Sequence, residues 1–116
     1  MNRLFEIVDS MTMDEFLDKS HHEPVLLFKH STTCLASAVA FLELTMFLEN
    51  YPGNILCGMV FVQQSRAISD EIANRLEVRH QSPQVLLIHN GRTVWYDSHN
   101  NITRQNLYMR FNVAKG

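Results

Sequence analysis

The residues able to do covalent chemistry are two cysteines, Cys34 and Cys57, and their contexts differ. Cys34 follows the polar stretch His30-Ser31-Thr32-Thr33 and opens the tetrapeptide Cys34-Leu35-Ala36-Ser37. An apolar, strand-like run ends just before this stretch and a helix-like pattern begins with it, which places Cys34 at a strand-to-helix junction. The first turn of a helix presents unpaired amides and the positive end of the macrodipole, and both stabilise an anion. A thiolate is the nucleophile of disulfide exchange, and such a setting favours it. Ser37 lies beside Cys34 in a helical first turn, where its hydroxyl could donate to the sulfur, and Thr33 flanks the cysteine on the other side. A C-x-x-S pattern holds no second thiol, so exchange would stop at a mixed disulfide until an outside thiol resolves it. The alternative is an inert cysteine buried for packing. Cys57, inside the apolar run 55–62, has that bland reading, and a mid-strand position is a poor place from which to reach Cys34. The six histidines show no spacing with the cysteines that would make a metal site, and none is expected.

The elements that must position Cys34 can be read from hydrophobic period. Thr12 and Glu15 read as a capping box opening a first helix, with Met13, Phe16 and Leu17 at helical spacing behind it. Pro24 ends that region and launches the run 25–28, VLLF, which suits a strand buried on both faces in a central parallel pairing. From Cys34 to about Asn50 the period changes, and Val39, Leu42, Phe47 and Leu48 with interspersed alanines read as a long packed helix stopped by Pro52-Gly53. The run 55–62 is a second strand. Ser65 or Ser69 would cap the next helix, whose Ile68, Ile72, Ala73 and Leu76 face inward. Pro83 precedes the run 85–88, and Asn90-Gly91 joins it to 93–96 as a hairpin, because a type I′ turn needs positive φ at both central residues. Thr103 opens a closing helix through Leu107, Tyr108 and Phe111, and a weak strand is expected at 4–8.

At 116 residues with a net charge of −2, the chain fits one domain, 1–116, and carries no electrostatic footprint for nucleic acid or a membrane surface. Acidic residues interrupt the first 17 positions, which lack the pattern of a secretory signal. No apolar stretch approaches the roughly 18 residues that span a bilayer. Two cysteines do not make a secreted disulfide framework, so a reducing cytoplasm is expected.

An α/β first part followed by a terminal antiparallel hairpin implies a mixed central sheet with helices on both faces, and the thioredoxin fold has this layout. Residues 25–34 align without gaps to the thioredoxin strand that leads into its active cysteine. Residues 78–91, VRHQSPQVLLIHNG, resemble the thioredoxin segment holding a cis-proline, a strand and a turn. That resemblance implies a cis bond before Pro83, with the proline facing the sulfur and the backbone of Ser82 pairing with a bound substrate chain.

Three motifs together are more specific: Phe28-Lys29-His30-Ser31-Thr32-Thr33-Cys34, Ser82-Pro83-Gln84, and Ser98-His99 with Ile102-Thr103. In this order and spacing they resemble the monothiol bacilliredoxins, bacterial thioredoxin-like proteins linked to the small thiol bacillithiol, over about 11–111. The resemblance implies a monothiol oxidoreductase in which Cys34 takes bacillithiol from a protein mixed disulfide and frees the client. It implies no bound cofactor, the small thiol as co-substrate, thiolated client proteins and a possible separate reductase as partners, and a monomer. Ser82, Pro83, His30, Ser31 and His99 become the candidate substrate-binding residues, and Lys29, His30 and His99 candidate partners for carboxylates of the small thiol. Departures are Leu35 where the family usually has proline, and Asn100 where an aromatic is common. Phe28 stands where thioredoxins keep a buried acid, which agrees with monothiol use. Ser31 stands at the lysine position of dithiol glutaredoxins, and Asp97 to Asn100 replace their glycine pair, which disfavours glutathione. The competing functions are a non-catalytic thioredoxin-fold binding module and, further off, an iron–sulfur carrier.

Overall fold

A computed structural model describes residues 3–116. Its elements run β1 (Arg3–Glu6), α1 (Ser10–Lys19), β2 (Val25–His30), α2 (Leu35–Asn50), β3 (Leu56–Phe61), α3 (Arg66–Leu76), β4 (Gln84–His89), β5 (Arg92–Ser98), a 3-10 turn (His99–Asn101) and α4 (Arg104–Lys115). The strands form one sheet in the order β1-β3-β2-β4-β5. β3 pairs in parallel with β1 and β2, whereas β4 pairs antiparallel with β2 and β5. The central strand β2 therefore has one parallel and one antiparallel neighbour.

Strand alternation divides the core into two layers. Val25 and Leu27 face one side, where they join Met13 and Phe16 of α1 and Ile68, Ile72 and Leu76 of α3. Leu26 and Phe28 face the other, with Ala40, Leu44, Phe47 and Leu48 of α2 and Leu107 and Phe111 of α4. Each of β2, β3 and β4 is buried over its first five residues, as strands covered by helices on both faces must be. The layout is the expected mixed α/β sheet.

Several local expectations need correction. α1 begins earlier than Thr12: Asp9 is the N-cap, its carboxylate accepting from the Thr12 amide at 2.9 Å, while Thr12 Oγ1 accepts from the Asp9 amide at 3.1 Å. Thr12 is thus the reciprocal member of the box rather than its start. Val39 and Leu42 are more than half exposed, because the inward stripe of α2 is Ser37, Ala40, Leu44, Phe47 and Leu48. Tyr108 is half exposed where α4 turns Leu107 and Phe111 inward. Ser65 is the N-cap of α3 yet its side chain makes no capping bond, and Ala73 is only partly buried beside a buried Ser69. Elsewhere chemistry and geometry agree. Asn90 and Gly91 adopt φ of 55° and 76°, the left-handed pair a type I′ turn demands, and Thr103 caps α4 by accepting from the Asn106 amide at 3.1 Å.

Candidate functional site

The site forms where β2 ends. His30 is tied to the next strand by the Val62 amide, which donates to the His30 carbonyl at 3.0 Å. Residues 31–33 then turn away and Cys34 becomes the N-cap of α2, with extended backbone at φ −112° and ψ 123°. Its carbonyl accepts the first helical bond, from Ala38 at 3.2 Å, and its side chain caps nothing. The half-buried sulfur is therefore left at a helix start whose first turn carries no acidic residue. The first turn of a helix presents amides without intrahelical partners and the positive end of the dipole, and here no carboxylate on that turn opposes them.

The expected partners of the sulfur make other bonds. Ser37 is fully buried, and its Oγ accepts from the Ser31 amide at 3.2 Å; no hydrogen bond joins it to Cys34 among the described residues. Thr33 and Ser31 share one donor instead, Nε2 of Gln63, at 2.8 Å to each hydroxyl, while Gln63 Oε1 accepts from the Thr32 amide at 3.2 Å. Sequence reasoning passed over Gln63, which lies about thirty residues from its partners in a polar turn with no local signal.

Pro83 comes to the same end of the sheet. The antiparallel register pairs Lys29 with Gln84, so the next position places Pro83 alongside His30. The Ser82–Pro83 peptide bond is cis. β5 ends here too: Gln84 pairs with Ser98, and the His99 amide donates to the Pro83 carbonyl at 3.2 Å from a backbone with φ of 53°. His30, Pro83 and His99 thereby lie at one end of three adjacent strands, with Ser82 just before Pro83 and with Ser31 and Cys34 following His30 along the chain.

His30 is packed among rings, with centroids of Phe28, Phe41 and Phe61 at 5.6, 5.3 and 5.8 Å. Burial holds its pKa below the ordinary histidine value, so the ring is neutral at pH 7. Its Nδ1 and the Ser82 hydroxyl are buried polar atoms with no hydrogen-bond partner among the described residues.

Lys29 corrects the sequence reading. It is fully buried on the α3 face of β2, where Nζ donates to the Ser69 carbonyl at 3.3 Å and meets Nδ1 of His80 at 3.1 Å. Burial lowers its pKa to about 8 against a partial offset from the Asp70 carboxylate. Turned to this side, Lys29 is no surface cation for a small thiol's carboxylates.

Cys57 is fully buried in β3, where desolvation pushes its thiol up to about 12. It is unsuited to act as a resolving nucleophile. Phe28, at the position of the thioredoxin acid, is also fully buried. No cluster of three or more His, Cys, Asp or Glu side chains suited to a metal ion occurs among the described residues. A cavity of about 770 Å³ lies between the end of α3 and β5 and includes none of the site residues. No helix of the described residues is long and apolar enough to cross a membrane.

Comparison with known proteins adds a family and a fold. The family model "Monothiol bacilliredoxin BrxC" matches residues 5–107. A solved structure assigned provisionally as an oxidoreductase with a thioredoxin fold is 29% identical, covers 91% of each chain and superposes with a TM-score of 0.82. Thioredoxin NaTrxh from Nicotiana alata is 13% identical over 99% of this chain and 95% of its own, with a TM-score of 0.77. Fasciola hepatica thioredoxin is 14% identical over 97% and 99%, with a TM-score of 0.72. The last two likenesses establish the fold alone, which is that of thioredoxin.

Proposed function

The chain belongs to the monothiol bacilliredoxin family, and from that premise we propose that Cys34 removes a low-molecular-weight thiol, bacillithiol, from protein mixed disulfides. The observation that carries this reading is the pairing of one partly exposed cysteine, at a helix start that its side chain does not cap, with a second cysteine sealed in the core. Such a chain can exchange a disulfide and has no second thiol with which to close one of its own.

In the first step the Cys34 thiolate attacks the sulfur of the small thiol in the client's mixed disulfide. A Cys34–small-thiol disulfide forms, the client's S–S bond breaks, and the client leaves as a thiolate that takes a proton from water. One disulfide replaces another, with no net oxidation. A second small thiol then attacks the mixed disulfide on Cys34, releasing the symmetrical small-molecule disulfide and restoring the free cysteine; a separate reductase would serve the same end. The Ser82 backbone and the adjoining Pro83 and His99 offer the edge on which the client chain lies, and Ser31 and the neutral His30 face the small thiol. Leu35, 81% exposed, with Val39 and Leu42 behind it, extends apolar surface away from the sulfur, which suits a protein substrate. The neutral His30 and the absence of Lys29 from the surface both weaken recognition of a carboxylate by charge at this edge.

The test offers one client protein carrying either bacillithiol or glutathione and follows release by intact mass. Faster transfer from the bacillithiol adduct onto Cys34 supports the reading. Equal rates remove the preference for bacillithiol, and no transfer removes the exchange activity and leaves a binding module.

A further inference from the structure

We infer that Gln63 is a positioning residue for Cys34, clamping the loop that presents the sulfur; the inference rests on the proposed exchange chemistry. The loop 31–34 contains neither glycine nor proline, and its backbone tie, Cys34 amide to Ser31 carbonyl, is long at 3.4 Å. Side chains must therefore hold it. One carboxamide does most of this, accepting at Oε1 from the Thr32 amide at 3.2 Å and donating at Nε2 to the Ser31 and Thr33 hydroxyls at 2.8 Å each. The orientation of the amide is determined by its partners. Thr32 N–H needs an acceptor, so a flipped amide would set donor against donor.

The clamp is anchored at its base. Gln63 follows β3, where the Val62 amide is bonded to the His30 carbonyl and the Gln64 amide to the Phe61 carbonyl. The Ser31 amide is held from the other side by the buried Ser37 Oγ. The segment before the nucleophile is thus tied to the sheet by Gln63 and to the first helical turn by Ser37. Gln63 itself is exposed and packs into neither core layer, so its contribution falls on the loop's order rather than on the fold. A loop already ordered leaves less motion to be lost when the sulfur aligns with an S–S bond.

The experiment measures exchange of Cys34 with a small neutral disulfide, 2-hydroxyethyl disulfide, in the full chain, together with the melting temperature and hydrogen exchange at the Thr32 amide. Gln63→Met, which keeps the length and loses every polar contact, should slow exchange about tenfold and expose the Thr32 amide, with the melting temperature moved by less than about 2 °C. In a Ser31→Ala/Thr33→Val background, Gln63→Met should slow exchange by less than about threefold, because the hydroxyls it acts through are gone. Exchange within twofold of the parent for Gln63→Met, or a full tenfold loss persisting in that background, overturns the inference. The probe contains neither client nor bacillithiol, so failure of the proposed function would leave these rate comparisons readable.

Discussion

Replacing Lys29 by methionine should make the protein more stable at pH 7, and the gain should vanish in alkali. Lys29 is fully buried, and burial draws its pKa from 10.5 to about 8, so keeping it charged in the fold costs about 3 kcal/mol at 1.36 kcal/mol per tenfold. Methionine of similar length forfeits the Nζ bonds to the Ser69 carbonyl and His80 Nδ1, together about 1 kcal/mol. The balance at pH 7 is about 2 kcal/mol in favour of methionine, or roughly 8 °C in melting temperature for a chain of this size. The pH dependence follows from proton counts. Below pH 8 lysine is protonated in both states and the penalty is complete. Between about pH 8 and 10.5 the unfolded chain binds the extra proton, so the parent gains stability as pH rises. Cys57 acts in the opposite sense: with its folded value raised to about 12 from 9.0, the unfolded thiol ionises first and stability falls as pH rises from 9. Both proteins contain Cys57, so the difference between them isolates Lys29. Urea denaturation of each at half-unit steps from pH 7 to 10.5 should show methionine ahead at pH 7 and lysine level or ahead by about 1 kcal/mol at pH 10.5. A variant less stable than the parent at pH 7, or a difference that does not change with pH, would refute the reasoning.

Three shorter predictions follow from packing and capping. Under native conditions excess iodoacetamide should modify one cysteine per chain, Cys34, with Cys57 labelled only after unfolding; two adducts on the native protein by intact mass would contradict its burial. Leu35→Pro should raise stability by about 0.5–1 kcal/mol in urea denaturation, since proline suits the first helical position and, among the described residues, the amide of the exposed Leu35 donates no hydrogen bond; a loss of stability would show that its φ is unsuited. Gly58→Ala should lower stability by about 2 kcal/mol, because the new Cβ would lie 2.7 Å from Ile7 Cδ1 and 2.9 Å from two Phe16 ring carbons; an unchanged melting temperature would mean that those side chains yield freely.

The sheet was legible because its strands are short apolar runs bounded by strong punctuation. Pro24, Pro52-Gly53 and Asn90-Gly91 mark breaks whose physics is local. Where local rules are degenerate, reading from sequence went astray. Asp9 and Thr12 both make good caps, and only the finished backbone shows that they cap reciprocally. α2 is apolar on nearly every side, so its period does not reveal that Val39 and Leu42 point outward. Lys29 was legible in principle: strand alternation puts it on the face of Val25 and Leu27, yet charge alone suggested the surface. Cys34 itself was visible because a strand-to-helix junction has chemical meaning. The network around it was not. Ser37 sits at the right spacing for the sulfur but bonds to the Ser31 amide, and Gln63 reaches the loop only through the parallel pairing of β2 with β3.

The most direct measurement mixes one equivalent of the protein with one equivalent of a bacillithiol-modified client and follows both chains by intact mass through a single turnover. Cys34 should gain the mass of one bacillithiol at the rate at which the client loses it, with one client thiol appearing per adduct, and Cys34→Ser should show neither change. Release of the client without a matching gain on Cys34, or release that persists in Cys34→Ser, would contradict a nucleophilic role for this sulfur.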